Sequence, residues 1–320
     1  MTAANAGQPR ERPTQPPQED SVFRCAASAR RRGDPLAGTA APASRWLLIE
    51  HPGPWDETTM RSRPLDSPVG ESISAAAVVA GARVLLIRRP ARPAPRPERA
   101  WVVVDREQGA TWGRWEVVDD LVEARERLVG DIERRGEQRP LFLVCVHGRR
   151  DVCCALRGRP VAQALAARWP GQTWECSHLG GDRFAPNVLV VPDGTTYGRL
   201  DERQAVRVVD AHVRGEVDTR YLRGSSADPP VTQAAVVGAL RRWGPAGPGD
   251  IRASSVRAFS TDEWLVELAG TASLPDVMRA RVTRRPRPPE LLTCRAAAAS
   301  SADEYAVQWL PVVPDPTPGH

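Results

Sequence analysis

The sequence predicts an α/β protein, and three observations carry that expectation. Strand-sized apolar runs, LFLVCV at 141–146 and NVLVVP at 187–192, are interspersed with amphipathic helical stretches. The clearest of these stretches are DDLVEARERLVGDI at 119–132 and DERQAVRVVDAHVRG at 201–215. An Asp193–Gly194 pair between NVLVVP and TTYGRL marks a hairpin turn. At 320 residues the chain has room for two domains, or for one core with elaborations.

Taken in order, RWLLIEHPGPW holds a strand at 46–50 that Pro52 and Pro54 stop. ESISAAAVVA at 71–80 reads as a helix, RVLLIRR at 83–89 as a strand, and ARPAPRPER at 91–99 as a loop. AWVVVD at 100–105 and WEVV at 115–118 are expected strands. In the 119–132 helix, Leu121, Val122, Ala124, Leu128 and Val129 recur at helical spacing, with Asp119 or Asp120 as N-cap. LFLVCV is then a buried strand and HGRRDVCCALRG a loop, followed by a helix at 159–169 with Pro160 in its first turn. TWECS at 173–177 is a strand and HLGGDRFAPN a loop; after the hairpin comes the 201–215 helix, capped by Asp201.

The resulting order, β-α-β-loop-β-β-α, is thioredoxin-like, and the N-terminal half can be fitted to a similar order, a hint of internal duplication. After Asp228-Pro229-Pro230 come a helix at 232–243, the linker GPAGPGD, and short strands near 252–259 and 263–268. The expected division is a disordered tail at 1–21, an N-terminal α/β region at 22–138, and a thioredoxin-like domain at 139–228. A small C-terminal α+β appendage at 229–311 and a second disordered tail at 312–320 complete it.

Hydrophobic content of 41% and charged content of 26% are ordinary for a globular protein. No apolar run approaches the roughly 18 residues that a spanning helix needs. The first twenty residues are polar and proline-rich, which predicts no secretory signal and a cytoplasmic protein with no membrane partner. The chain contains no lysine, so its 44 basic residues are all arginine, a pattern that fits GC-rich coding. They are scattered among 39 acidic residues instead of forming a stripe, which argues against a nucleic-acid partner despite the net charge of +5.

Six cysteines in a long chain from a reducing compartment do not suggest a disulfide framework. Four of them, Cys145, Cys153, Cys154 and Cys176, fall within 32 residues, together with His147 and His178. Cys145 lies near the carboxyl end of one expected strand, and Cys176 and His178 lie at the end of the next. Such ends form the natural ligand crevice of an α/β sheet. Thiolates hold iron–sulfur clusters and imidazole can replace them, raising the potential and coupling electron transfer to protonation. Gly180–Gly181 would let the backbone pass close to cluster sulfurs. No G-x-G-x-x-G or P-loop pattern points to a nucleotide cofactor.

The blocks CVHGRRDVCC and CSHLGGDRFAPNVLVVPDGTTYGRL strongly resemble the sucrase/ferredoxin-like family of thioredoxin-like ferredoxins. The opening CAASARRRGDPLAGTA…RWLLIEHPGPW resembles the start of actinobacterial members. The likeness runs over roughly 22–310 and is densest over 143–200. It implies a [2Fe–2S] electron carrier with a redox partner protein, more than a stand-alone enzyme. The word sucrase implies no activity, since no paired acidic residues argue for glycoside hydrolysis. Eukaryotic members hold the cluster with C-x8-C and H-x3-H. Cys145, Cys154 and His178 match that pattern, but Asp182 stands where the second histidine is expected. Cys176, two residues before His178, is the competing fourth ligand.

Plainer readings stand beside these. Cys145 can be an ordinary core thiol, and Cys153, whose side chain faces away from that of Cys154, core or support. His147 either bonds the site or caps its loop; Asp151 organises that loop through backbone N–H groups or Arg149. Arg183 is expected in a structural ion pair, Asn187 at a turn, and Cys25 and Cys294 as structural or incidental thiols. The alternative functions are a metal-free thiol oxidoreductase or redox sensor, and an interaction protein with a structural zinc or a degenerate site. The N-terminal half is expected to cover one side of the cluster domain.

Overall fold

A computed structural model of the protein describes residues 22–90, 97–132, 139–271 and 273–311. The two expected tails and most of the proline–arginine loop lie outside these residues. After a short helix, α1 (Cys25–Arg31), the chain forms β1 (Arg45–Glu50), α2 (Pro68–Val79), β2 (Ala82–Arg88), β3 (Arg99–Asp105), β4 (Gly109–Trp115) and α3 (Leu121–Val129). It then forms β5 (Leu141–Cys145), α4 (Val152–Arg168), β6 (Thr173–Cys176), β7 (Asn187–Val191), β8 (Thr195–Gly198) and α5 (Glu202–Val213).

These two runs have the same topology. In the first, β1 is parallel to β2 and antiparallel to β3, which is antiparallel to β4. In the second, β5 is parallel to β6 and antiparallel to β7, which is antiparallel to β8. The hinted duplication is therefore present as two thioredoxin-like units in one nine-stranded sheet, ordered β4-β3-β1-β2-β6-β5-β7-β8-β9. β9 (Leu222–Ser225) extends its far edge. The units meet edge to edge where β2 pairs antiparallel with β6, Ile87 opposite Cys176 and Arg88 opposite Glu175.

Both sheet faces are buried, which is why the strands read as continuous apolar runs. Leu47, Ile49, Phe142, Val144, Val188 and Val190 pack under residues of α2 to α5. The alternate residues Trp46, Leu48, Leu143, Cys145 and Cys176 share the opposite face with Cys25 and Ala26 of α1. Cys145 and Cys176 thus point away from the main helical layer.

Two elements differ from expectation. The strand expected at 115–118 ends at Trp115, because Gly109–Trp115 pairs along all of β3; a 3-10 turn at Val118–Asp120 then leads into α3. Helix α4 begins at Val152, so most of HGRRDVCCALRG is helix and Pro160 lies in its interior. The buried positions Cys154, Gly158, Val161, Ala162 and Leu165 make a helical stripe that outweighs the proline. Gly158 packs against the Cys145 carbonyl, where any Cβ would clash.

The C-terminal part is α6 (Pro230–Trp243) against an antiparallel sheet of β10 (Ile251–Ala258), β11 (Glu263–Gly270), β12 (Met278–Pro286) and β13 (Asp303–Leu310). The last two strands were not expected. Trp243 of α6 meets Trp309 of β13 edge-on at 4.5 Å. No described helix is long and apolar enough to cross a membrane.

Candidate metal centre

Cys145 ends β5 and is the cross-strand partner of Cys176 on the parallel strand β6. Cys154 enters from the first turn of α4, which Asp151 caps by accepting the Cys153 N–H at 2.8 Å. His178 and Asp182 come from the loop after β6, with Asp182 opening a 3-10 turn. Cys154 Sγ donates to Asp182 Oδ1 at 3.2 Å, and His178 Nδ1 lies 3.1 Å from the same oxygen. The latter contact is an ion pair without good hydrogen-bond alignment. Cys145 is electrostatically coupled to both Cys154 and His178, and these four donors make up a ring.

The electrostatics follow from that ring. Hydrogen bonding from Cys154 and the nearby His178 hold the Cys145 thiol well below its usual pKa, against the opposing effect of burial. Cys154 is pushed well above its usual value by Cys145, by burial and by Asp182. Burial alone would lower His178, but Asp182 and Cys145 outweigh it and raise the imidazole to about 9. Burial alone would raise Asp182, but His178 and Cys154 hold the carboxyl below its ordinary value. The four groups thus titrate as one coupled set with little contact with solvent.

Cys176 is fully buried beside the ring but makes none of these hydrogen bonds or ion pairs; burial and the Cys145 charge raise its pKa, against the pull of Arg83. His147 is buried with neither ring nitrogen in a hydrogen bond, edge-on to Trp55 at 5.9 Å. Its carbonyl, not its ring, organises the turn by accepting from Arg150 and Asp151. Arg149 reaches Asp56 instead of Asp151.

Two arginines, Arg83 half-buried and Arg223 buried, hold the loop that carries His178 and Asp182. Arg83 donates to the His178 and Leu179 carbonyls, each at 2.9 Å. Arg223, fully buried and lowered to about 9 by that burial, donates to the Gly180 carbonyl and to Asn187 Oδ1, each at 2.9 Å, and to Thr39. Asn187 closes the set by donating to the Gly181 carbonyl at 3.0 Å. Gly180 and Gly181 both have positive φ, and Gly181 makes room for the Arg223 guanidinium. Arg183 makes the expected ion pair, with Asp34 at 3.4 Å.

A second group was missed by the sequence reading, which took Cys25 and Cys294 as structural or incidental. Among the described residues it is Cys25, Asp151, Cys153 and Cys294 whose ligand atoms all lie within 4.8 Å of one another, a group that could hold a metal ion. Cys25 and Cys294 are 269 residues apart, so no local spacing could announce the pair.

A duplicated thioredoxin-like sheet with thiol, imidazole and carboxylate groups gathered at its strand ends defines a thiol-rich, potential metal-site protein. The family model described as sucrase/ferredoxin-like matches residues 36–224, more than half of the chain, and the protein belongs to that family. The match runs from ahead of β1 into β9, and so takes in both thioredoxin-like units. No curated protein and no solved structure matches the chain.

Proposed function

We propose that the protein is a [2Fe–2S] electron carrier of the sucrase/ferredoxin-like type, with Cys145, Cys154, His178 and Asp182 as the cluster ligands. The observation that carries this reading is the ring of four donors from β5, α4 and the loop after β6. The donor set fits in number and in kind, two thiols with an imidazole and a carboxylate replacing two further thiols. Asp182, not Cys176, is the fourth ligand, because it touches two other ring members and Cys176 bonds to none.

When bound, such a cluster accepts and releases single electrons. The chain's own groups hold and tune the site. Arg83 and Arg223 fix the ligand loop through its carbonyls. His178, 26% exposed, is the ring member at the surface, where a redox partner would dock.

The test is iron and sulfide analysis with a visible spectrum on anaerobically purified protein. About two irons and two sulfides per chain are expected. Asp182→Ala should lose them and Cys176→Ala should keep them. A colourless wild-type protein without iron would overturn the reading and leave a zinc or bare thiol site. Cluster loss in Cys176→Ala alone would reverse the ligand assignment.

A further inference from the structure

Cys25, Asp151, Cys153 and Cys294 come from three distant parts of the chain. Cys25 opens α1, Asp151 and Cys153 form the start of α4, and Cys294 lies in the connection between β12 and β13. Cys294 Sγ lies 3.3 Å from Cys153 Sγ and 3.5 Å from Cys25 Sγ. Asp151 Oδ2 lies 3.4 Å from Cys25 Sγ. A tetrahedral zinc ion with Zn–S bonds near 2.3 Å has ligand–ligand edges of about 3.8 Å. Three of the six edges are thus 3.3–3.5 Å and all are under 4.8 Å, compact enough for one ion and not for a cluster.

Three further observations support a metal over a disulfide. Cys25, Asp151 and Cys153 are almost wholly buried, so a carboxylate and three thiols crowd together with little water to solvate them. A disulfide would join two sulfurs and leave the third thiol against the carboxylate. The surrounding backbone is also arranged as an outer shell: the Cys294 N–H donates to Asp151 Oδ2 at 2.6 Å, and the Cys25 N–H points at Cys294 Sγ at 3.4 Å. Four protein ligands fill a tetrahedral zinc's coordination, which is the mark of a structural site.

We propose that Cys25, Asp151, Cys153 and Cys294 bind one structural zinc ion that ties α1 and the β12–β13 connection to the first turn of α4. Cys25 and Cys294 lie outside the family-matched segment, residues 36–224. The zinc site adjoins the other centre through the chain itself. Successive helical residues are about 100° apart, so Cys153 faces this group while Cys154 faces the ring.

The test measures zinc and iron in the full-length protein purified anaerobically, as wild type, Cys294→Ser and Cys145→Ser. Zinc near one per chain is expected in wild type and in Cys145→Ser, with at least a tenfold loss in Cys294→Ser. Failure of the iron analysis alone would sink the electron-carrier reading and leave this one standing. Because Cys294→Ser could fail to fold, wild type is also alkylated before and after chelation, and the modified cysteines are mapped by mass spectrometry. Cys25, Cys153 and Cys294 should be protected only before chelation. Absence of stoichiometric zinc, its retention in folded Cys294→Ser, or a native disulfide among the three thiols would overturn the proposal.

Discussion

Gly181 adopts φ +74°, and the guanidinium of Arg223 fills the space where a side chain would start. Arg223 in turn has no charged partner within hydrogen-bonding reach; carbonyls, a hydroxyl and the Asn187 amide oxygen satisfy it. A cation buried this way is held by exact donor placement, so small shifts are expensive. Gly181→Ala combines a left-handed backbone with that clash. It should destabilise the protein by about 1–3 kcal/mol or more, read as a lower denaturant midpoint with the ligand loop loosened. An unchanged midpoint would mean that Arg223 does not position the loop.

Among the elements, β1 and β3 are joined at their ends by Arg45 and Asp105, 2.8 Å apart and both mostly shielded from solvent. Burial alone would raise Asp105, but the N–H groups of Gln108 and Glu107 and the Arg45 guanidinium outweigh it and hold its pKa below the ordinary value. A carboxyl whose folded pKa is depressed adds stability that is fully present above its unfolded pKa of about 3.9 and is lost as pH falls through the folded value. Asp105→Asn should therefore cost about 1–2 kcal/mol at neutral pH, with the gap from wild type closing as pH falls below about 4. Parallel acid titrations of the two proteins by circular dichroism would check it; a gap independent of pH would contradict the ionic origin.

For the molecule as a whole, the seam between β2 and β6 decides what can stand alone. The Arg88–Glu175 ion pair at 2.7 Å and hydrogen bonds between Leu86 and Ser177 close it. A fragment of residues 139–228 would uncover β6 as an open edge with Cys176 beside it. It should self-associate or precipitate, measured by size-exclusion chromatography with light scattering. A stable monomeric fragment would show that the N-terminal unit is dispensable for the fold of the second.

The two units also show why only one carries the ring. Glu50 ends β1 opposite Ile87 as Cys145 ends β5 opposite Cys176, so a carboxylate stands in the first unit where the thiol stands in the second. Legible in the chain were most strands of the two units, the Asp193–Gly194 turn and the Asp201 cap. All of these rest on local periodicity, turn chemistry or short spacing, which neighbouring residues alone determine. The early start of α4 was also written in its apolar stripe, but Gly158 and Pro160 masked it. The tertiary structure alone decided three things: that Cys154 and His178 both meet Asp182, that Arg223 fills the space at Gly181, and that Cys25 and Cys294 meet. Each depends on which distant segments the packed sheet brings to one point, and no local pattern encodes a contact across 269 residues.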